Sequence, residues 1–379
     1  MKTIILGAGL VGGPMAIDLA GDSGYEVTIT DRDQNALDAL SDQGDITLIR
    51  KDLSDPADVT SLVSDYDIVI NAVPGFMGFR TLKAIIEAEK DVIDIAFFPE
   101  DPFALDPLAR EKGVTAIMDC GVAPGMSNIL AGYAHNILDE TDTILIYVGG
   151  LPEVRQWPWE YKAVFSPVDV IEEYTRPARY VENGTLVVRE ALSDPELIEF
   201  PRIGTLEAFN SDGLRTLGNT LNANNMKEKT LRYPGHIQKM AVLRDTGFFS
   251  QEEIEINGSR IRPLDFTAKL LFPKWKLEEG EIDITVMRVI VEGTGKSGKL
   301  RYTWDLYDRL DESTGIHSMA RTTGYTATMA ARMIAEGLFS KKGVSPPEII
   351  GLQPECVEFI LDGLKERGII YSEKIEELG

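Results

Sequence analysis

Gly7-Ala8-Gly9-Leu10-Val11-Gly12 follows an apolar run, Thr3 to Leu6, and opens a stretch of helical spacing; an acid, Asp31, stands 24 positions after Gly7. In a strand, glycine turn and helix of this kind, Gly7 allows the tight turn and Gly9 lets a backbone approach a pyrophosphate. Gly12 lets helix pack on strand, and the helix N-terminus presents partial positive charge to the phosphates. Leu10 and Val11 complete the loop. Asp31, ending the second apolar run, is placed to accept hydrogen bonds from adenosine ribose hydroxyls and to repel a 2′-phosphate. The reading is therefore NAD rather than NADP, with Arg32 beside it the feature that favours NADP. Asp52, ending the third run, either touches the adenine or only begins the next helix. Asn71-Ala72-Val73-Pro74 ends the fourth run where the strand order of such a sheet reverses. Ala72, Val73 and Pro74 are expected beside the nicotinamide half, unless Pro74 merely stops the strand.

These residues need a parallel sheet to position them, and the sequence supplies its rhythm. Short apolar runs at Thr3 to Leu6, Val27 to Thr30, Ile46 to Ile49, Ile68 to Val73, Val92 to Ala96 and Thr115 to Met118 alternate with amphipathic stretches. That alternation predicts βα units. Ser54-Asp55-Pro56 marks a helix start, and Phe79 to Glu89 has helical spacing. From about 141 to 318 the pattern turns β-rich, beginning with Thr141 to Val148. Asn183-Gly184 between Arg179 to Glu182 and Thr185 to Val188 predicts a two-residue hairpin. Ser166, with Asp169 three residues later, predicts a capped helix. Ile282 to Glu292 and Leu300 to Leu306 are expected to pair around Gly293 to Lys299. That loop looks like a phosphate-binding loop, but Ile290 stands where the motif needs glycine. Met319 to Phe339 and Pro354 to Arg367 read as helices, followed by an acidic tail. The predicted class is α/β, a Rossmann doubly wound parallel sheet (residues 1–120 plus 319–379) with an inserted α+β domain (121–318).

Bulk properties narrow the function. A chain of 379 residues suits two domains. Hydrophobic residues make up 44% and charged residues 26%, an ordinary globular balance. No apolar run approaches the ~20 residues of a membrane span, and the first apolar stretch reads as a strand rather than a leader, so a cytoplasmic protein is expected. Acidic residues outnumber basic ones 61 to 38, a net charge of −23 that repels nucleic acid. Cys120 and Cys356 lie far apart and form no metal motif, and no metal or covalent nucleophile is suggested. A homo-oligomer, most simply a dimer, is the expected assembly.

Further segments carry a family resemblance: Cys120-Gly121-Val122-Ala123-Pro124-Gly125, Gly149-Gly150-Leu151-Pro152, Tyr161-Lys162, Glu207-Ala208-Phe209-Asn210-Ser211-Asp212-Gly213 and Thr230-Leu231-Arg232-Tyr233-Pro234-Gly235. With the glycine fingerprint, in this order, the chain resembles the saccharopine dehydrogenase family over nearly its whole length. The resemblance implies an insertion in the Rossmann unit and hydride transfer from an amine-bearing carbon to a nicotinamide, followed by imine hydrolysis. Saccharopine reductases tend to carry Gly-Leu-Asp-Pro-Gly and Asn-Arg-Asp where this chain has Ala123 and Ser211, which weakens recognition of the glutarate half of saccharopine. Trp157 to Lys162 and Ile171 to Pro177 look like lysine 6-dehydrogenase, so L-lysine is the expected substrate. The alternatives are saccharopine or another opine-type amine, or an NAD-binding sensor without catalysis.

Amine oxidation needs a general base for the substrate nitrogen and then for water. Asp119, after the sixth run, is a candidate base or a solvated loop acid. Lys162, with Tyr161, holds a carboxylate or acts as acid/base, or else forms a surface ion pair. Arg215 and Arg232 suit carboxylate binding or structural pairs. Glu173 suits a substrate ammonium or a solvated helix face. His135 reads as structural; His236 and His317 stay open.

Overall fold

The structure, a computed structural model, describes residues 1–164, 167–278 and 280–379. They form two compact units, residues 1–137 with 319–371 and residues 138–318 with 372–379.

The first unit opens with β1 (Lys2–Leu6), α1 (Gly12–Ala20), β2 (Glu26–Asp31), α2 (Gln34–Asp38), β3 (Ile46–Arg50), α3 (Pro56–Val63), β4 (Ile68–Asn71), α4 (Gly75–Glu87), β5 (Asp91–Asp94), α5 (Asp106–Glu111), β6 (Thr115–Ile117) and α6 (Met126–Ile137). The strands are parallel in the order β6-β5-β4-β1-β2-β3, so the order reverses between β1 and β4. Runs such as Ile4-Ile5-Leu6 are fully buried, as a sheet covered on both faces requires. Asp55 accepts from the Ala57 amide at 2.9 Å and Pro56 occupies the first turn of α3, as the sequence signals. The fourth helix begins at Gly75, four residues before the expected start at Phe79, because Pro74 occupies its N-cap.

The second unit contains β7 (Glu140–Pro152), α7 (Pro167–Thr175), β8 (Ala178–Glu182), β9 (Thr185–Arg189), β10 (Glu196–Phe200), β11 (Gly204–Asn210), α8 (Leu217–Thr220), β12 (Asn225–Arg232), α9 (His236–Asp245), β13 (Ile254–Ile256), β14 (Ser259–Ile261), α10 (Pro263–Trp275), β15 (Asp283–Gly295) and β16 (Gly298–Arg309). The cap expected at Ser166 lies outside the described residues. Asn183 and Gly184 take φ of 50° and 73°, the positive angles of the expected hairpin turn. The second expected hairpin forms with a shorter turn: Gly295 pairs with Gly298, so most of the glycine-rich segment is strand.

The chain then returns to the first unit through α11 (Ser318–Ala335), β17 (Gly343–Ser345), which pairs with β6, α12 (Pro347–Gly351) and α13 (Pro354–Glu366). Asp18 on α1 anchors the return, receiving Arg332 at 2.7 Å and Arg367 at 2.6 Å. Residues 121–137 also belong to this unit, because α6 lies directly on α12: a Cβ on Gly132 would come within 2.2 Å of the Glu348 carbonyl oxygen. The acidic tail is a strand, β18 (Tyr371–Leu378), at the edge of the second unit's sheet beside β16.

Candidate active site

In the first unit, the β1–α1 turn has the geometry of a phosphate cradle. Gly7 has φ of 110°, and a Cβ there would lie 2.7 Å from the Ala72 carbonyl oxygen, so a side chain fits neither its backbone nor its surroundings. A Cβ on Gly12 would collide with the Gly7 oxygen. Nothing lies within 4 Å of a Cβ on Gly9, leaving that face open. Val11 is the N-cap of α1 without a side-chain cap, and Leu10 is exposed. The Ala8 amide donates to Asp31 Oδ2 at 2.8 Å and the Asp33 amide to Oδ1 at 2.9 Å, which fixes the Asp31 carboxylate at the turn. These features fit a pyridine nucleotide.

Around this cradle the expected residues divide. Arg32 is exposed. Asp52 accepts from the Ser54 hydroxyl at 2.5 Å and amide at 2.9 Å, which hold its pKa below the usual carboxylate range; it begins the turn into α3. Ala72, Val73 and Pro74 follow β4 beside Gly7. At the end of β4 the Asn71 amide nitrogen donates to Asp94 at 2.5 Å, while its Oδ1 is buried without a partner among the described residues. Asp119, 3% exposed, has φ of 53°, a conformation in which Asp is one of the few tolerated side chains. Burial, with Asp119 and Asp94 nearby, pushes the Cys120 thiol up to about 12, so it is no nucleophile.

The second unit gathers four of the predicted residues, Tyr161, Glu173, Arg232 and His236, into one buried cluster. Arg232 Nη2 donates to Glu173 Oε2 at 2.5 Å and Nε to the Tyr174 hydroxyl at 3.2 Å, while its guanidinium lies 4.5 Å over the Tyr161 ring. His236 Nδ1 faces the Trp159 carbonyl at 2.8 Å and Nε2 the Tyr174 hydroxyl at 3.0 Å. A carbonyl only accepts, so Nδ1 carries the proton and Nε2 accepts from Tyr174. Burial and Arg232 push His236 down to about 3, leaving it neutral with both nitrogens engaged. Burial raises Glu173 although Arg232 opposes the shift, and burial raises Tyr161 well above its ordinary value. Glu173 and Arg232 are thus each other's partner.

Two predicted residues stand apart from that cluster. Lys162, buried, donates to the Lys276 carbonyl at 3.0 Å and pairs with Glu281 at 2.9 Å. Arg215 lies near Arg176, whose charge it disfavours after burial, in the neighbourhood of Arg179 and Asp212.

Sequence reasoning did not single out Tyr174, the hinge of the cluster, or Glu228. Glu228 accepts from Ser211 Oγ at 2.8 Å and the Gly213 amide at 3.1 Å, has no salt-bridge partner among the described residues, and is pushed up to about 8, chiefly by burial. Neither residue carries a local motif; only the pairing of β11 with β12 brings Ser211 to Glu228.

Among the described residues no helix is long and apolar enough to cross a membrane. Residues 3–117 match the family described as saccharopine dehydrogenase NADP binding domain, and residues 121–369 the saccharopine dehydrogenase C-terminal domain. Saccharopine dehydrogenase (NADP(+), L-glutamate-forming) of Pyricularia oryzae is 25% identical, covering 99% of this chain and 99% of that protein. Mitochondrial alpha-aminoadipic semialdehyde synthase of Mus musculus is 24% identical over 98% of this chain but 47% of its own length, so the chain spans about half of that relative. The apo histidine-tagged saccharopine dehydrogenase (L-Glu forming) from Saccharomyces cerevisiae shares the fold, with a TM-score of 0.81 at 20% identity and 99% coverage of both chains. A glycine cradle of nucleotide-binding form and two family domains matched in sequence order place the chain in one group: it belongs to the saccharopine dehydrogenase family.

Proposed function

We propose that the protein is an NAD-dependent oxidoreductase that deaminates L-lysine at C6, releasing ammonia and the 6-aldehyde. The observation that carries the substrate reading is at position 211. Ser211 stands where the family's saccharopine reductases carry arginine, and its hydroxyl is engaged by Glu228 at 2.8 Å and Thr230 at 2.7 Å. No guanidinium projects from this position to take the extra carboxylates of saccharopine. Glu228 is left as a buried carboxyl without a salt-bridge partner among the described residues, and a substrate bringing its own positive charge would favour its ionised form.

Residues of the β1–α1 turn and Asp31 would hold the nucleotide, which when bound accepts hydride from the amine-bearing carbon. NAD is proposed, although the first domain's family is named for NADP, because a 2′-phosphate would meet the Asp31 carboxylate held at the turn by two backbone amides. The chain's own work is to orient the amine, take its proton and exclude bulk water.

The test is reduced-nucleotide formation, followed optically, with NAD or NADP and a panel of L-lysine, saccharopine, ornithine and other amines at alkaline pH. Turnover of lysine with NAD is expected. Turnover of saccharopine alone would transfer the assignment to an opine-type dehydrogenase, and nucleotide binding with no turnover would refute an enzyme of this substrate class.

A further inference from the structure

Helix α4, in the first unit, buries Gly75, Gly78, Leu82 and Ile85 and turns Phe76, Arg80, Lys83 and Glu87 to water. Positions 76, 80, 83 and 87 recur at helical spacing, so these four form one outer stripe. Three of them are charged, and Lys83 pairs with Glu87 at 3.6 Å. The fourth is Phe76, 75% exposed, at the end of the stripe nearest the strand. A phenylalanine on a charged helix face breaks the polar pattern that folding alone favours. Exposure by itself is common among apolar residues; the position of Phe76 is what distinguishes it.

Phe76 lies in the first turn of α4, two residues after the N-cap Pro74. Helical Cα–Cβ bonds tilt toward the helix N-terminus, so a side chain there covers the segment before the helix, here Ala72 to Pro74. That segment borders the phosphate turn, because a Cβ on Gly7 would lie 2.7 Å from the Ala72 carbonyl oxygen. Close packing fixes how the helix is turned: a Cβ on Gly78 would come within 2.7 Å of the Phe98 ring, and Phe79 meets Phe98 edge-on at 5.8 Å. Strands β1 and β4 are parallel neighbours where the strand order reverses, the place at which open α/β sheets seat their ligand. Leu10, in the β1–α1 loop at the same edge of the sheet, is 57% exposed.

We propose that Phe76 lies against the nicotinamide half of the bound nucleotide, with Leu10 extending the apolar surface on the β1 side. The inference rests on nucleotide binding at the cradle and not on the identity of the amine. An aromatic side chain suits this place: nicotinamide is flat, and cationic when oxidised, so it gains both from stacking and from the negative face of a phenyl ring. Both apolar surfaces leave water when the nucleotide binds.

The test is fluorescence titration of wild type, Phe76→Ala and Phe76→Tyr with NADH and with NADPH, and competition by ADP-ribose, 2′-phosphorylated where NADPH binds more tightly. ADP-ribose keeps the adenosine and the pyrophosphate but lacks the nicotinamide. For the reduced nucleotide that wild type binds more tightly, Phe76→Ala is expected to weaken affinity about tenfold and Phe76→Tyr to retain it, while all three proteins bind ADP-ribose equally. Thermal unfolding of nucleotide-free Phe76→Ala is expected to match wild type, since the ring is mostly outside the core; a lowered midpoint would make Phe76 a packing residue and overturn the assignment. Unchanged reduced-nucleotide affinity in Phe76→Ala, or an equal loss for ADP-ribose, overturns it too and leaves the cradle standing. A wild type that binds neither reduced nucleotide overturns the cradle reading as well.

Discussion

Glu228 makes an alkali-sensitive stability curve the sharpest consequence of this structure. Its carboxyl is 6% exposed and among the described residues has the Ser211 hydroxyl and the Gly213 amide as donors, with Glu173 and Asp212 adding like charge. Burial is the main reason its pKa rises from 4.5 to about 8. Between those values the folded protein holds a proton that the unfolded chain has lost. Stability is therefore fully present below the unfolded pKa and falls by ~1.4 kcal/mol per pH unit until the folded pKa is passed. Over the 3.5 units from 4.5 to about 8 the group's contribution declines by roughly 5 kcal/mol. Glu228→Gln keeps the shape of the protonated side chain and cannot ionise. Urea denaturation of both proteins between pH 5 and 9 is expected to give similar stabilities at the acid end and a growing advantage for Glu228→Gln toward the alkaline end. Two curves that stay parallel across that range would show that Glu228 is not a buried, uncompensated carboxyl, and the reasoning would fail.

Asp31→Ser removes the carboxylate proposed to receive the ribose hydroxyls, so NADH affinity measured by fluorescence titration is expected to fall roughly tenfold, about 1.4 kcal/mol, with NADPH affinity unchanged or improved; an unaltered preference would contradict the cofactor reading. Asp18→Asn leaves the buried Arg332, and Arg367 beside it, without their shared carboxylate. Denaturation is expected to show a loss of about 3 kcal/mol; a loss below about 1 kcal/mol would show that packing alone holds α11 and α13 on α1.

The nucleotide cradle was legible because its requirements are local. The turn at Gly7, the helix start after it and the acid at the end of β2 are set within one βαβ stretch, so residue type and spacing carry the geometry. The hairpin at Asn183-Gly184 was legible for the same reason. The strand in the acidic tail was not legible, since β18 owes its form to pairing beside β16, far away in sequence. Glu173, Arg232 and His236 stood out by residue type and meet in one cluster, yet nothing in the sequence said whether Glu173 would meet a substrate or Arg232, 59 positions away.

What the amino-acid order determined by itself was the class of fold, the phosphate turn and the family. Which polar groups neutralise one another, and which are left with a free valence, was decided only in three dimensions. Strand register, helix packing and burial bring together Arg232 with Glu173, Ser211 with Glu228 and His317 with Asp283. A charge removed from water takes its character from its nearest partner, and no short stretch of sequence contains that partner.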